Sequence, residues 1–181
     1  MAFLKEIQNP LTENYLYLKQ YILSDQFTWK WCQSSTNGPG ASGYTNVPFY
    51  GHCILERPNH SREAPLYSRV RSDLIDVASN VIKEIFLYNQ IDINCVFRIN
   101  ANCIHRVDSN QSVPHIDHDF PHKNFLIYLN TCAGDTLVYD NDDKVFSFTP
   151  KEDSVILFDG CHSAGQPEIG ERRVVFVATY Y

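Results

Sequence analysis

No two of the six cysteines stand in a CxxC spacing; they fall at positions 32, 53, 95, 103, 132 and 161. That removes a zinc knuckle and a thioredoxin-type motif. No apolar run approaches the roughly 18–20 residues that cross a bilayer. The opening residues, MAFLKEIQNP, place Lys5 and Glu6 where the apolar stretch of a secretory leader would begin. A secreted disulfide framework is therefore not expected, and reduced thiols in a cytoplasmic setting are. No run of Lys or Arg offsets a net charge of −6, and an acidic chain has no general affinity for phosphate backbones. Nucleic acid and membrane are thus not expected as partners. The chain carries no internal repeat and no low-complexity segment.

What is present suffices for one domain over 1–181: 181 residues, 44% hydrophobic and 20% charged, with 11 Phe and 11 Tyr. Residues 12–23, TENYLYLKQYIL, predict a helix capped by Thr12, with Tyr15, Leu16, Leu18, Ile22 and Leu23 as its apolar positions. Residues 33–48, rich in Ser, Gly, Asn and Pro, predict a lid-like loop. A second helix is predicted over 68–88. Its stripe of Val70, Leu74, Val77, Val81 and Ile85, widened by Ile75, Ala78, Ile82 and Phe86, reads as a core face. Helix and loop thus fill 1–92. From 93 onward the pattern changes to short strands. INCVFRINANCI sets Phe97, Ile99 and Ala101 on one face and Arg98, Asn100 and Asn102 on the other. NFLIYLN, DTLVYD, KVFSFTP, SVILFD and RRVVFVATYY follow, parted by turn-like pieces. Strands this short and frequent predict a mainly β fold, a β-sandwich or jelly-roll barrel over 93–181 with the helices packed on one sheet.

Chemistry concentrates in PHIDHDFPH, residues 114–122. In an extended segment positions i and i+2 share a face, so His115 and Asp117 offer an imidazole and a carboxylate to one ion. His162 follows the apolar strand SVILF in a Gly-bearing turn, where it can lean over the same cavity. Arg172 stands ten residues on and suits an anionic cosubstrate. Two His and one carboxylate on one face of an octahedron leave three positions open, the ligand set of non-haem Fe(II) oxygenases. Asp119 lies too far from His115 along an extended chain to share an ion. His118 and His122 have a helical metal spacing that Pro121 interrupts, and read as loop histidines near the pocket mouth. Arg98 could face either the site or solvent. Trp29 and Trp31 read as packing residues, and the cysteines as core or surface thiols.

The order HxD, then His, then Arg resembles the Fe(II)- and 2-oxoglutarate-dependent dioxygenases, nearest their prolyl-4-hydroxylase-like branch in its compact microbial or viral form. The resemblance covers 93–181. HID (115–117) and His162 match the iron triad, LIYLN (126–130) the strand that follows it, AGDTLVYD (133–140) the family's GGxL strand with Asp135 for the second glycine, and GERRVVF (170–176) its GxRxxxxF. The resemblance implies a double-stranded β-helix that binds Fe(II) through His115, Asp117 and His162. It also implies 2-oxoglutarate as cosubstrate, O2 as oxidant and ascorbate as reductant. The distal carboxylate of 2-oxoglutarate would meet Tyr128 and Arg172. Arg173 leaves that register open by one, because Arg172 shares a face with Val174 and Phe176 and Arg173 shares one with Val175 and Val177, both apolar. The family's tyrosine before HxD is not evident, and Asn100 or Asn102 would serve in its place. The implied reaction couples oxidative decarboxylation of 2-oxoglutarate to succinate with hydroxylation of a C–H bond on a peptide, protein or small molecule, first a peptidyl or free amino acid such as proline. The alternatives are a small-molecule hydroxylase of the same superfamily, a non-catalytic metal- or ligand-binding jelly-roll module, and a metalloenzyme that works without 2-oxoglutarate.

Overall fold

The structure, a computed structural model, describes residues 2–33, 47–58, 67–107, 111–140 and 143–181. Most of the expected lid loop at 33–48 lies outside them. Among the described residues the order is β1 (Phe3–Ile7), α1 (Glu13–Leu23), β2 (Lys30–Cys32), β3 (Phe49–Glu56), β4 (Arg69–Val70), α2 (Ile75–Tyr88), β5 (Val96–His105), β6 (Lys123–Tyr128), β7 (Thr136–Asp140), β8 (Asp143–Phe148), β9 (Val155–Asp159), β10 (Cys161–Ala164) and β11 (Arg172–Tyr180). The strands form an antiparallel sheet in the order β1-β9-β6-β11-β5-β3-β2, with β4 added to β3, and a smaller sheet β10-β7-β8.

Alternation decides what each face of the large sheet does. On its outer face Ile99, Ala101 and Cys103 of β5, Phe125 and Ile127 of β6, and Val174, Phe176 and Ala178 of β11 pack against the two helices. Tyr15, Leu18 and Ile22 of α1 and Ala78, Val81, Ile82, Ile85 and Phe86 of α2 complete that core. The inner face, including Leu126, Tyr128, Ile156, Phe158 and Val175, meets Val138 of the small sheet in a second, smaller cluster. The jelly-roll arrangement expected from the strand pattern is thus present, with both helices on one sheet.

Thr12 caps α1 as expected, its hydroxyl accepting from the Tyr15 N–H, although Leu16 is 48% exposed. The second helix begins at Ile75, seven residues later than its pattern suggests. The reason is tertiary. Arg69 and Val70 pair with Glu56 and Leu55 as an added strand, and Val70 is 58% exposed rather than core. All six strands expected after residue 93 are formed. The strands β1, β2, β3 and β4, and β10 within an expected turn, lacked a readable alternation. No described cysteine pair forms a disulfide, and no helix of the described residues is long and apolar enough to cross a membrane.

A glycine permits a close approach within the small sheet, where β7 and β10 are neighbours. Gly134 has φ +92°, and a Cβ there would lie 2.6 Å from the Gly165 carbonyl oxygen and 2.8 Å from the Gln166 carbonyl carbon. Both obstacles are backbone, so neither can rotate away. Here β7 begins beside the end of β10, and the Gly165 N–H donates to the Asp135 carbonyl at 2.7 Å. Asp135 has room for a side chain: its carboxylate accepts from Ser147 and Thr149 of the neighbouring segment, which explains how it replaces a glycine. Gly134→Ala should lower stability by about 2 kcal/mol or more, measurable by urea denaturation, and Asp135→Gly should cost less. Equal midpoints for the Gly134 variant and the parent would refute the close approach.

Candidate functional site

Two backbone hydrogen bonds build the site's centre. The His115 N–H donates to the His162 carbonyl and the His162 N–H returns to the His115 carbonyl, both at 2.9 Å. Residues exchanging such bonds stand opposite one another with side chains on one face. The two imidazoles accordingly lie with centroids 4.5 Å apart, both lining one cavity with Asp117. His162 is not in a turn but on β10, where it pairs with Val138. Between the two inward residues Ile116 turns out, 58% exposed, whereas Asp117 is 7% exposed.

Each imidazole is oriented from behind. His115 Nδ1–H donates to the Val113 carbonyl at 2.9 Å, and His162 Nδ1–H to the Gly160 carbonyl at 3.3 Å. A carbonyl only accepts, so both rings carry their proton on Nδ1 and present an Nε2 lone pair, the arrangement of metal-ligating histidines. His162 Nε2 lies 3.7 Å from Asp117 Oδ2. Donors about 2.1 Å from one ion stand roughly 3–3.5 Å apart, so these two are near but slightly open. No three His, Cys, Asp or Glu among the described residues are placed closely enough to hold a metal ion as they stand. The chemistry of the three donors and the anchoring of both rings fit a divalent ion of the Fe(II) class.

The cavity, about 100 Å³, runs between the sheets. Leu126, Phe158, Val175 and Val177 give it apolar walls, and Arg98, Asn102, Thr136 and Arg173 supply polar ends. Burial works to raise the Asp117 pKa, but Arg98, then His162, His115 and Arg57, hold the carboxyl well below the usual carboxylate range. Burial and the neighbouring His115 push His162 down to about 4, against the pull of Asp117. At neutral pH the site therefore holds an ionised carboxylate and a neutral His162, as metal ligation requires.

The expected cosubstrate residues are placed unevenly. Arg172 is exposed and outside the cavity, a correction to the expected register. Of the two apolar faces of β11, the one carrying Val174 and Phe176 is covered by helices, and the one carrying Val175 and Val177 lines the cavity. Arg173 shares the latter and is 2% exposed. Its Nε donates to the Gly134 carbonyl at 3.1 Å and its Nη2 to Thr136 Oγ1 at 2.7 Å. Tyr128 does not line the cavity. It is fully buried behind Thr136, 2.6 Å from that hydroxyl, with the Arg173 guanidinium 5.3 Å from its ring centroid. Asn102 lines the cavity and Asn100 does not; Asn100 is 9% exposed, and both leave a buried side-chain oxygen without a hydrogen bond.

His118 and His122 are not at the pocket mouth. Both are buried, their rings 4.7 Å apart in an aromatic cluster with Phe97 and Phe120. His118 Nε2 meets Thr179 Oγ1 at 2.8 Å, and burial, then His122, lowers its pKa to about 4. Asp119 is exposed. Trp29 packs edge-on against Phe27 as expected, but Trp31 is 59% exposed beside Tyr50. Sequence reasoning missed Thr136 and Arg57, and left Arg98 undecided. Arg98 Nη1 donates to Asp117 Oδ1 at 2.8 Å; the polar face of β5 was the signal that could have assigned it.

No family model matches the sequence, and no curated protein does. Solved structures share its fold. An oxidoreductase of the 2OG-Fe(II) oxygenase family from Burkholderia pseudomallei superposes with a TM-score of 0.70 at 12% identity, covering 99% of this chain and 84% of that one. A prolyl hydroxylase from Trichoplax adhaerens, solved with a hypoxia-inducible-factor peptide fragment, gives 0.61 at 16%, covering 98% and 83%. A viral collagen prolyl hydroxylase from Paramecium bursaria Chlorella virus-1, solved with 2OG, gives 0.53 at 13%, covering 98% and 94%.

The buried histidines make stability depend on pH. His162 and His118 bind protons less readily folded, near 4, than their ordinary 6.5. Their contribution is therefore complete above about pH 6.5 and lost as pH falls through about 4, and the depressed carboxyl of Asp117 extends the loss below that. In chelator-treated protein, unfolding free energy should decline between pH 6.5 and 4 by up to about 1.4 kcal/mol per pH unit for each histidine. His118→Gln should make the decline shallower. Urea midpoints that stay flat over this range would contradict it.

Proposed function

We propose that the protein is an Fe(II)- and 2-oxoglutarate-dependent oxygenase that hydroxylates a C–H bond, first of a peptidyl or free amino acid such as proline. The observation that carries this reading is the reciprocal bridge of His115 and His162 beside Asp117, in one cavity with the anchored cation Arg173. Bound there, iron would supply O2 activation coupled to decarboxylation of the cosubstrate. Everything else falls to the chain.

His115 and His162 would hold the metal through Nε2, their Nδ1 protons fixed on carbonyls so that neither ring can flip. Asp117 would hold it through Oδ2, since Oδ1 is taken by Arg98. Arg173 would seat the distal carboxylate of 2-oxoglutarate, with the Thr136 hydroxyl beside it. The Tyr128 hydroxyl, whose pKa burial raises against the pull of Arg173, stays protonated and can donate through Thr136. Because Arg173 is tied to the Gly134 carbonyl, its guanidinium is set before any ligand arrives, which cuts the ordering cost of binding. Leu126, Phe158, Val175 and Val177 exclude water, strengthen that ion pair and shield a reactive oxidant from solvent.

The test is succinate formation from 2-oxoglutarate in the presence of Fe(II), ascorbate and O2, with peptide and free amino-acid candidates. Activity should vanish in His115→Ala, Asp117→Ala and His162→Ala. Fe(II) binding with no succinate under any condition would instead assign a binding module. Independently, Arg173→Met should weaken 2-oxoglutarate binding by about 100-fold or more, since it removes a shielded charge-assisted contact. Arg172→Met should leave binding within about threefold, as expected of an exposed charge outside the cavity. Calorimetry on the two variants decides between the neighbouring arginines.

A further inference from the structure

Two guanidinium groups converge on one carboxylate oxygen. Arg98 Nη1 lies 2.8 Å from Asp117 Oδ1, and Arg57 Nη2 lies 3.4 Å from the same atom while its Nη1 donates to the Asp117 carbonyl at 3.0 Å. Arg98 is at the cavity wall with its side chain 15% exposed, and Arg57 stands outside it at 45%. One cation would fix the carboxylate. The second is in excess, and the two repel: burial and then Arg98 lower the Arg57 pKa.

That excess grows once the site is loaded. Asp117 is the only acid among the described residues lining the cavity, and as a metal ligand it shares its charge with a divalent cation. Among the described residues, Arg98 and Arg173 of the cavity, Arg57 outside it and that cation then stand with one carboxylate. A dianionic cosubstrate on the metal and Arg173 still leaves two positive charges in surplus, both on the Arg57–Arg98 side. Positive charge with little access to water, as on Arg98, calls for an anion, and a planar guanidinium pair matches a carboxylate.

We propose that Arg57 and Arg98 form the seat for a carboxylate of the primary substrate. The substrate is then an amino acid with a free α-carboxylate, not an internal residue of a peptide chain. This rests on the oxygenase reading and narrows it. Both cations touch the residue that holds the metal, so the seated carboxylate lies within a few bonds of the carbon to be oxidised. A free amino acid meets that spacing, whereas the backbone amide of a peptide brings no charge to the same place. Arg57, the more exposed of the two, meets the anion first, and Arg98 receives it at the cavity wall without releasing Asp117.

The test uses matched pairs. The full chain is loaded anaerobically with Fe(II) and 2-oxoglutarate, whose charge-transfer absorption reports assembly. Common L-amino acids, proline among them, are titrated against their α-amides. At least one free acid should perturb the band saturably, with an apparent Kd about tenfold or more below that of its amide, as loss of a charge-assisted hydrogen bond requires. Arg57→Gln should shrink that gap to about threefold or less while the band still forms. If no band appears in the parent, the oxygenase reading falls and the substrate assignment with it. A band that acids and amides perturb equally, or that no free acid perturbs, overturns the substrate assignment alone. So does an Arg57→Gln variant that keeps the full acid–amide gap.

Discussion

The reciprocal pair of backbone hydrogen bonds between His115 and His162 is the constraint on which the site depends. It joins segments 47 positions apart in the chain and places two imidazoles on one face without using any side-chain atom. Their Nδ1 protons are then free to be fixed on local carbonyls and their Nε2 atoms to face the cavity. A second bridge, Gln111 with Gly165, and the bond from the Ala164 N–H to Ser112 Oγ at 2.9 Å continue the pairing. The 111–115 segment therefore behaves as an irregular strand alongside β10. Long-range closure of this kind costs chain entropy, and the large sheet offsets it by packing its outer face against both helices.

Charge is the second organising element. Burying Asp117 alone would be unfavourable by several kcal/mol. The structure gives it Arg98 at the cavity wall, Arg57 outside the cavity, and the imidazoles of His115 and His162 beside it. Arg173 is the converse case, a buried cation with no carboxylate against it among the described residues, held by the Gly134 carbonyl and the Thr136 hydroxyl and stacked over Tyr128. Neutral partners fix a guanidinium without cancelling its charge. One end of the cavity thus holds a carboxylate over-supplied with cations, and the other an arginine under-supplied with anions. Both imbalances are the sort a bound ion or ligand resolves, and a purely structural network would have no reason to keep them.

The sequence made the ladder legible because its strands are short apolar segments parted by turn-like pieces, the first of them alternating clearly. Turn-like pieces marked off six strands, and period two separated His115 and Asp117 from Ile116 and put Arg98 with Asn102. It was silent where alternation is absent or ambiguous. Arg172 and Arg173 could not be told apart, since both faces of β11 are apolar, one for packing against helices and the other for lining a cavity. Composition cannot distinguish those two kinds of burial. The onset of α2 was misplaced because Arg69 and Val70 are taken by a strand pairing that no local pattern encodes. Arg57 was invisible for the same reason: only tertiary structure brings this residue, just past the end of β3, to Asp117. His118 and His122 read as loop histidines near the pocket mouth because Pro121 interrupts their helical spacing, yet the aromatic cluster around Phe97 and Phe120 draws them inside.

The features that make the site are mostly backbone features: a bridge, an alternation, and a close crossing at Gly134 that leaves no room for a Cβ. Backbone demands of this kind restrict few positions and leave most side chains open to replacement, so a chain can hold the arrangement while its sequence drifts far. The pair at 134 and 135 shows the rule at the scale of one residue. Gly134 is fixed by contact with two carbonyl groups, whereas its neighbour is free to become Asp135 and to gain partners in Ser147 and Thr149. That glycine's carbonyl in turn anchors Arg173. A single unoccupied Cβ position therefore sets both the close approach of β7 to the end of β10 in the small sheet and the place of the carbonyl that holds the buried cation.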